Sequence, residues 1–172
     1  MPTILTHPAI ALLQMWFPRI PRRAVAAGAI ATILPDLDVI AFRYGIPYSA
    51  MFGHRGFTHS ILFALIVASL ATLLVRSRTA FPFLFLCALS HPLLDALTDG
   101  GLGVALLSPF SNERYFFPWR PIRVSPIGAG FFSARGVETL VSEVVWVWLP
   151  CAVAALLGKY FGQRKGEAGE QR

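Results

Sequence analysis

The 172-residue chain is 55% hydrophobic, has a mean hydropathy of +0.60, and has only 14% charged residues. Soluble domains have roughly 45–50% apolar residues and about a quarter charged ones, so this composition excludes an ordinary soluble domain. The net charge of +6 would suit a nucleic-acid-binding protein, but the lysines and arginines lie at the ends of apolar runs and form no basic helix face. The pattern therefore favours the lipid bilayer over nucleic acid as the partner.

Five apolar helices are predicted along the chain, and together they indicate an all-α, integral membrane helical bundle. Their ranges are 8–17, 22–34, 59–76, 80–98 and 138–161. The first two are separated by the basic turn at 18–23, and each is long enough to cross only part of a bilayer. The other three are long enough to be good candidates for spanning it.

The remaining segments are predicted from their Gly, Pro and aromatic content. Pro92 lies inside the fourth helix and predicts a kink or break near His91. Residues 100–137, which include "YFFPWRPIRVSPIG", are typical of a loop at the membrane interface. The polar residues 162–172 are expected to form a disordered tail. The chain is thus expected to be one helical membrane domain, residues 1–161, followed by a short tail.

Antiparallel folding of these helices through short turns would collect polar side chains at one end of the bundle. His59 precedes Arg78 by 19 residues and Asp95 follows it by 17, so at 1.5 Å per residue both lie roughly 25–29 Å from that turn. The same folding brings all four histidines and seven of the nine acidic residues to this end. Nine of the fifteen Lys and Arg residues collect at the other end, which the positive-inside rule assigns to the cytoplasm. The polar end is then expected on the periplasmic or outer side.

Four short motifs supply the His and Asp residues of this end: "THP" (6–8), "LPDLD" (34–38), "HRGFTHS" (54–60) and "HPLLD" (91–95). His91 and Asp95 stand four apart on one helix face, a spacing that suits paired metal ligands. Each motif alone also has an ordinary interpretation, such as a helix cap, a solvated turn or an interfacial histidine. Because four separate segments bring His and Asp side chains to the same end of the bundle, a metal site is favoured. A mixed imidazole–carboxylate set suits Zn, Mn, Fe or Co, as one ion or two.

Three further residues are candidates for catalytic roles beside the metal. Asp38 is the second carboxylate of "DLD", and the two carboxylates could reach one ion or bridge two. Arg55 lies between His54 and His59, where its guanidinium group could hold a phosphate or carboxylate, or contact lipid headgroups. Glu143 lies inside the last apolar helix and could be a further ligand or a general base.

The order of these motifs, from "THP" through "LPDLD" and "HRGFTHS" to "HPLLDALTDGG", resembles the YdjM-like family of inner-membrane, metal-dependent hydrolases. The resemblance covers most of residues 1–110 and implies a multi-pass protein of the bacterial inner membrane. That family is distantly similar to the zinc-dependent phospholipase C and single-strand nuclease group. By this likeness His54 and Asp38 would be ligands of second rank, and the first-ranked ligands would be His7, Asp36, His59, His91 and Asp95.

These observations predict a membrane-bound, metal-dependent hydrolase whose substrate is a phosphoester in a lipid or a lipid-linked anionic molecule. A metal-activated water would be the nucleophile, with Zn the favoured ion, and Arg55 or a loop arginine would hold the phosphate. Two alternatives stay open: a metal or ion carrier, and a non-catalytic membrane scaffold with a structural metal. A carrier would need ligands at mid-bilayer and a polar path onward, which the apolar faces of 61–75 and 144–158 do not provide.

Overall fold

A computed structural model describes residues 1–17, 20–126 and 128–170 of the chain. Within these ranges the regular structure is helical, and extended pairing amounts to two isolated bridges, Thr98–Ile122 and Val104–Tyr115. The prediction of an all-α membrane bundle is confirmed. Arg19 and residues 171–172, which belong to the predicted basic end and tail, lie outside the described residues.

The described chain contains helices of three kinds. The α-helices are α1 (Arg22–Ala31), α2 (Ile61–Val75), α3 (Phe81–Ala96), α4 (Ala134–Glu143) and α5 (Leu149–Glu170). The more tightly wound 3₁₀ helices occupy His7–Trp16, Leu34–Tyr44, Phe57–His59, Arg78–Ala80 and Gly128–Phe132. A π-helical turn, Val144–Trp148, joins α4 to α5. The two long 3₁₀ helices are unusual, because such helices rarely exceed three or four residues.

Helices α2 and α3 lie side by side because a tight turn reverses the chain between them. Arg76 ends α2 in the left-handed conformation, with φ of 51°, and the 3₁₀ turn Arg78–Ala80 leads into α3. Helix α1 packs against both, and the first 3₁₀ helix lies along α1 and α5. The core between these elements combines small and bulky apolar side chains, including the fully buried Ala24, Ala68, Phe83, Leu84 and Cys87.

Three helical stretches of the described residues are long and apolar enough to cross a membrane: Arg22–Tyr44, Arg78–Ala96 and Ala134–Gly162. The first corrects the prediction for 22–34, because the 3₁₀ helix Leu34–Tyr44 continues α1 to a stretch of 23 residues. The predicted span 59–76 instead holds the 15-residue helix α2, which is shorter than the usual span of about 20 residues.

Two other segments differ from the sequence-based expectations. Of the kink or break predicted near His91, the break does not occur, because helix α3 runs continuously through Pro92. The last helical stretch begins at Ala134 rather than 138, and α5 continues to Glu170. Residues 162–170 are therefore helical instead of forming the predicted disordered tail.

Candidate metal centre

Seven His and Asp side chains from four segments meet at one end of the bundle, and each is 8% exposed or less. The first 3₁₀ helix contributes its first residue, and the 3₁₀ helix Leu34–Tyr44 contributes two carboxylates. The turn before α2 and the end of α3 contribute the others. The seven residues are His7, Asp36, Asp38, His54, His59, His91 and Asp95. The structure thus brings together every residue predicted as a metal ligand.

The turn that presents His59 depends on a glycine. A Cβ atom at Gly56 would lie 2.1 Å from the carbonyl oxygen of Met51, so only glycine permits this close approach. The chain then makes one 3₁₀ turn. The hydroxyl of Ser60 caps α2 by accepting a hydrogen bond from the backbone N–H of Phe63 at 3.0 Å. The imidazole of His59 is therefore held at the N-terminus of α2 by local chain geometry.

His59 and His91 face each other with their Nε2 atoms 3.0 Å apart. The Nδ1 atom of His91 lies 2.6 Å from the carbonyl oxygen of Thr32, which can only accept, so Nδ1 carries the proton. The Nδ1 atom of His59 lies 3.1 Å from a carboxylate oxygen of Asp38 and donates to it. In the neutral rings both Nε2 atoms then present lone pairs to each other, an arrangement that requires a proton or a cation.

Two carboxylates surround this pair of nitrogens. Asp36 Oδ1 lies 3.4 Å from His91 Nε2, and Asp95 Oδ2 lies 3.5 Å from His59 Nε2. Asp95 Oδ1 is 4.0 Å from Nε2 of His7, whose ring stacks on His91 with centroids 3.9 Å apart. Among the described residues, both oxygens of Asp36 and both nitrogens of His7 have no hydrogen-bond partner, and Asp95 has one on Oδ2, from Arg55, but none on Oδ1. Buried polar atoms normally have partners, so this convergence of acceptors fits a bound cation.

The residues form two adjoining groups, and within each group one ligand atom per residue lies within 4.8 Å of the others. These groups are His7, His91 and Asp95, and Asp36, His54 and His59. They meet at the contact between His59 and His91, so the cluster has donors for one ion or two. With its three carboxylates ionised and one guanidinium group beside them, the centre has an excess of two negative charges when the imidazoles are neutral. A divalent cation matches that charge.

Asp38 is the carboxylate of the cluster that already has its donors. Its Oδ1 lies 2.6 Å from Nδ1 of His54, and its Oδ2 accepts from the Thr58 hydroxyl at 2.6 Å and from the Arg55 backbone at 3.2 Å. The same Oδ2 receives His59 Nδ1. This geometry assigns Asp38 to the orientation of two imidazoles, which leaves Asp36 as the freer carboxylate of "DLD".

Arg55 is 1% exposed and holds Asp95, with its Nε 2.9 Å from Asp95 Oδ2. Its two terminal nitrogens donate to the Gly100 carbonyl at 2.9 Å and to the Thr98 hydroxyl at 3.1 Å. The residue also adopts the left-handed conformation, with φ of 61°. All three guanidinium nitrogens thus contact the protein itself, and a carboxylate is the anion that this arginine holds.

Glu143 is completely buried but lies outside the cluster. It accepts hydrogen bonds from the backbone and hydroxyl of Thr3 and from the hydroxyl of Thr6. Sequence reasoning missed these threonines and the Thr32 carbonyl that orients His91. The position of Thr6 directly before His7 in "THP" was an available signal for its part, whereas a backbone carbonyl leaves no trace in a sequence.

The loop that follows α3 covers the turn that contains His54 and His59. Arg114 donates to the carbonyl of His54 at 3.1 Å and to that of Tyr48 at 2.9 Å. The backbone N–H of Ala105 donates to the carbonyl of Arg55 at 3.0 Å. The loop therefore helps to fix the turn in two ways: through a backbone hydrogen bond from Ala105 and through the side chain of Arg114.

Protonation of the metal-free centre is uneven. Burial disfavours the charged form of His59, but the three carboxylates around it outweigh that effect and raise its pKa to about 10. Burial lowers the pKa of His7 well below its ordinary value.

This fold, with its three candidate spans and its buried His–Asp centre, defines a helical integral membrane protein. The chain belongs to the YdjM inner membrane protein family, whose sequence model matches residues 1–165. Membership of the YdjM family, which the motifs indicated, is thereby confirmed, and so is the inner membrane as the location.

Two relatives illustrate the family likeness. The chain is 41% identical over 175 residues to inner membrane protein YbcI of Escherichia coli (strain K12), across 96% of this chain and 100% of that protein. It is 32% identical over 89 residues to the uncharacterized protein YvsG of Bacillus subtilis (strain 168), across 48% of this chain and 56% of that protein. No solved structure matches the chain significantly.

Proposed function

We propose that this inner membrane protein is a metal-dependent hydrolase that acts on a phosphoester in a lipid or lipid-linked anionic substrate. One observation carries the metal site: the Nε2 atoms of His59 and His91 face each other at 3.0 Å beside Asp95 and the two oxygens of Asp36, which have no hydrogen-bond partner among the described residues. A buried set of acceptors with excess negative charge is stabilised by a cation. Zn²⁺ suits the imidazole-rich set best, with Mn²⁺ or Fe²⁺ as alternatives.

The residues of the centre would divide the work. Five side chains would hold one or two ions: His7, Asp36, His59, His91 and Asp95. His54 would complete the second group, while Asp38 orients His54 and His59, and Arg55 orients Asp95. When bound, a divalent metal would polarise a water molecule and a phosphoryl oxygen for hydrolysis.

A lipid-linked substrate is supported by the surroundings of the centre. The loop that covers it carries exposed aromatic side chains, among them Trp119 and Phe110, which are typical of the headgroup region. Since Arg55 is occupied by protein groups, an exposed loop arginine such as Arg120 is the better candidate to hold the substrate phosphate. By the positive-inside rule, this end of the bundle would face the periplasm.

Elemental analysis of the detergent-purified protein tests the metal site. Wild type should contain near-stoichiometric Zn, Mn or Fe, and His91→Ala and Asp36→Ala should both lose it because they share one centre. Asp99→Ala is the matched control, since this aspartate pairs with the exposed Arg123 outside the cluster. Loaded wild type should then hydrolyse phosphodiester or phospholipid substrates. Absence of bound metal after purification and after reloading with metal would refute the proposal that the protein is a metal-dependent hydrolase.

A non-catalytic scaffold with a structural metal is the second candidate. The burial of all seven His and Asp residues favours it, because structural sites are closed by protein ligands whereas catalytic ones keep an open position. Bound metal without hydrolysis of any phosphoester, and without faster relaxation of solvent water by a substituted Mn²⁺, would support the scaffold.

A further inference from the structure

We infer that Glu143 is a positioning residue for the metal centre, which acts by fixing the segment that carries His7. The inference rests on the metal-binding part of the proposed function. It assigns a role to a fully buried carboxylate within the stretch Ala134–Gly162, one of the three candidate membrane spans. Ionisable residues in such stretches are costly and are usually functional.

Both carboxylate oxygens of Glu143 are committed to the N-terminal segment. Oε1 accepts from the backbone N–H of Thr3, and Oε2 accepts from the hydroxyls of Thr3 and Thr6, at 2.6 Å each. Among the described side chains, no Lys, Arg or His lies within ion-pair distance of Glu143. Its contacts therefore serve residues that lie about 140 positions away in the sequence, rather than a neighbouring charge.

His7 is the ligand that needs this support. The Nδ1 atoms of His59 and His91 are oriented by Asp38 and by the Thr32 carbonyl, respectively. Neither ring nitrogen of His7 has a hydrogen-bond partner in the described part of the chain. Its ring stacks on His91 and lies 4.0 Å from Asp95 Oδ1, and its backbone follows Thr6 directly. An anchor on Thr6 thus takes the place of a hydrogen bond to the imidazole.

The helix around Glu143 is shaped for this contact. The π-helical turn Val144–Trp148 begins at the next residue, and its wider turn brings the indole N–H of Trp148 to the Thr6 hydroxyl at 3.0 Å. Such turns within α-helices are frequent at functional sites. At the opposite end of the first 3₁₀ helix, the Trp16 indole N–H donates to the Ala154 carbonyl at 2.7 Å. That second attachment keeps the helix packed on α5 even if the contact at Glu143 is lost.

Metal affinity in a double-mutant cycle tests the inference. Glu143→Ala should weaken metal binding about 10–100-fold, the range for loss of a group that orients a ligand. Because the effect passes through His7, Glu143→Ala should cause no further loss in a His7→Ala background. Thr6→Val, which removes only the hydroxyl, should reproduce most of the loss, and Thr6→Ser should restore affinity. Glu138→Ala, at an exposed position of the same helix, is the matched control.

Hydrogen exchange of the metal-free protein supplies a second readout. Glu143→Ala and Thr6→Val should accelerate exchange of the amides in residues 3–10 and leave α2 and α3 unchanged. Additive losses of affinity in the cycle, or unchanged exchange in residues 3–10, would overturn the inference. If Glu143→Ala does not fold, the same two measurements on Thr6→Val, metal affinity with and without His7→Ala and exchange in residues 3–10, test the inference instead. Wild type that binds no metal would refute the proposed function, and with it the role of Glu143 at a metal centre, whereas the anchor itself would still be judged by exchange.

Discussion

The two carboxylates of "DLD" differ in their hydrogen bonding, although they are identical residues two positions apart. Asp38 receives donors on both oxygens, whereas neither oxygen of Asp36 has a hydrogen-bond partner among the described residues. The difference arises because the turn 54–59 closes over Asp38 and presents its N–H and O–H groups there. Asp36 points instead at the facing nitrogens of His59 and His91.

Asp38→Asn should therefore weaken metal binding without removing a ligand. The amide would present a donor to groups that now donate to the carboxylate, and it would no longer fix the tautomer of His59. We expect a loss of about 10–100-fold in Zn²⁺ affinity, measured by competition with a chromophoric chelator. Asp99→Asn, which alters an exposed aspartate, should leave the affinity unchanged. Equal affinities for Asp38→Asn and wild type would contradict the orienting role.

Arg55→Gln should destabilise the metal-free protein strongly. It removes the cation beside Asp95 while both groups are buried, and breaking such a pair costs about 3–5 kcal/mol in the free energy of unfolding. Denaturant unfolding in mild detergent, after removal of metal with a chelator, measures the loss. Arg123→Gln breaks an exposed pair with Asp99 and should have little effect. Similar stabilities for the two variants would show that Arg55 does not stabilise Asp95.

At the scale of the elements, the contact between α1 and α3 sets the distance between two walls of the centre. Gly28 faces Phe83, and a Cβ atom at Gly28 would lie 2.7 Å from its ring and 3.0 Å from the sulfur of Cys87. The ring of Phe83 is fully buried in the core. The absence of a side chain at Gly28 therefore lets the two helices approach, and with them Asp36 and His91.

Gly28→Val should force α1 and α3 apart. Overpacking of this kind costs about 1–3 kcal/mol in the free energy of unfolding. The loss should appear in unfolding monitored by circular dichroism, together with weaker metal binding because Asp36 shifts away from His91. Ala26→Val places the same side chain on the exposed side of α1 and should change the stability by no more than about 0.5 kcal/mol. A wild-type-like Gly28→Val protein would show that this contact is loose.

For the whole molecule, the decisive property is the separation of polar and basic ends. The turn between α2 and α3 carries Arg76 and Arg78, and the centre lies at the other ends of these helices. The stretch Arg78–Ala96 is long enough to place the two ends on opposite sides of a bilayer.

Single cysteines at Thr79 and Asn112 should therefore report opposite sides. Both positions are exposed, and the native Cys87 and Cys151 are first replaced by alanine. A membrane-impermeant maleimide should modify Asn112→Cys in cells with a permeabilised outer membrane, and Thr79→Cys only after lysis. Labelling in the reverse order would place the centre on the cytoplasmic side. Labelling of both from one side would contradict the crossing of α3.

Much of the centre was predictable because helices have a fixed rise per residue. Counting from Arg78 placed His59 and Asp95 at one level, and their side chains are 3.5 Å apart. The extension of α1 was missed because Pro35 reads as a helix end, whereas it occupies the first turn of the following 3₁₀ helix. The partners of Arg55 were hidden as well, since a buried arginine and a lipid-facing one look alike in a sequence.

The place of the ligands along the chain has a consequence for biosynthesis. All six candidate ligands precede residue 97, whereas the anchor at Glu143 belongs to the last candidate span. A ribosome therefore delivers the complete ligand set to the membrane before that last segment has been made. Insertion of this last candidate span would then be the step that supplies the proposed anchor for His7, after the other ligands have already entered the membrane.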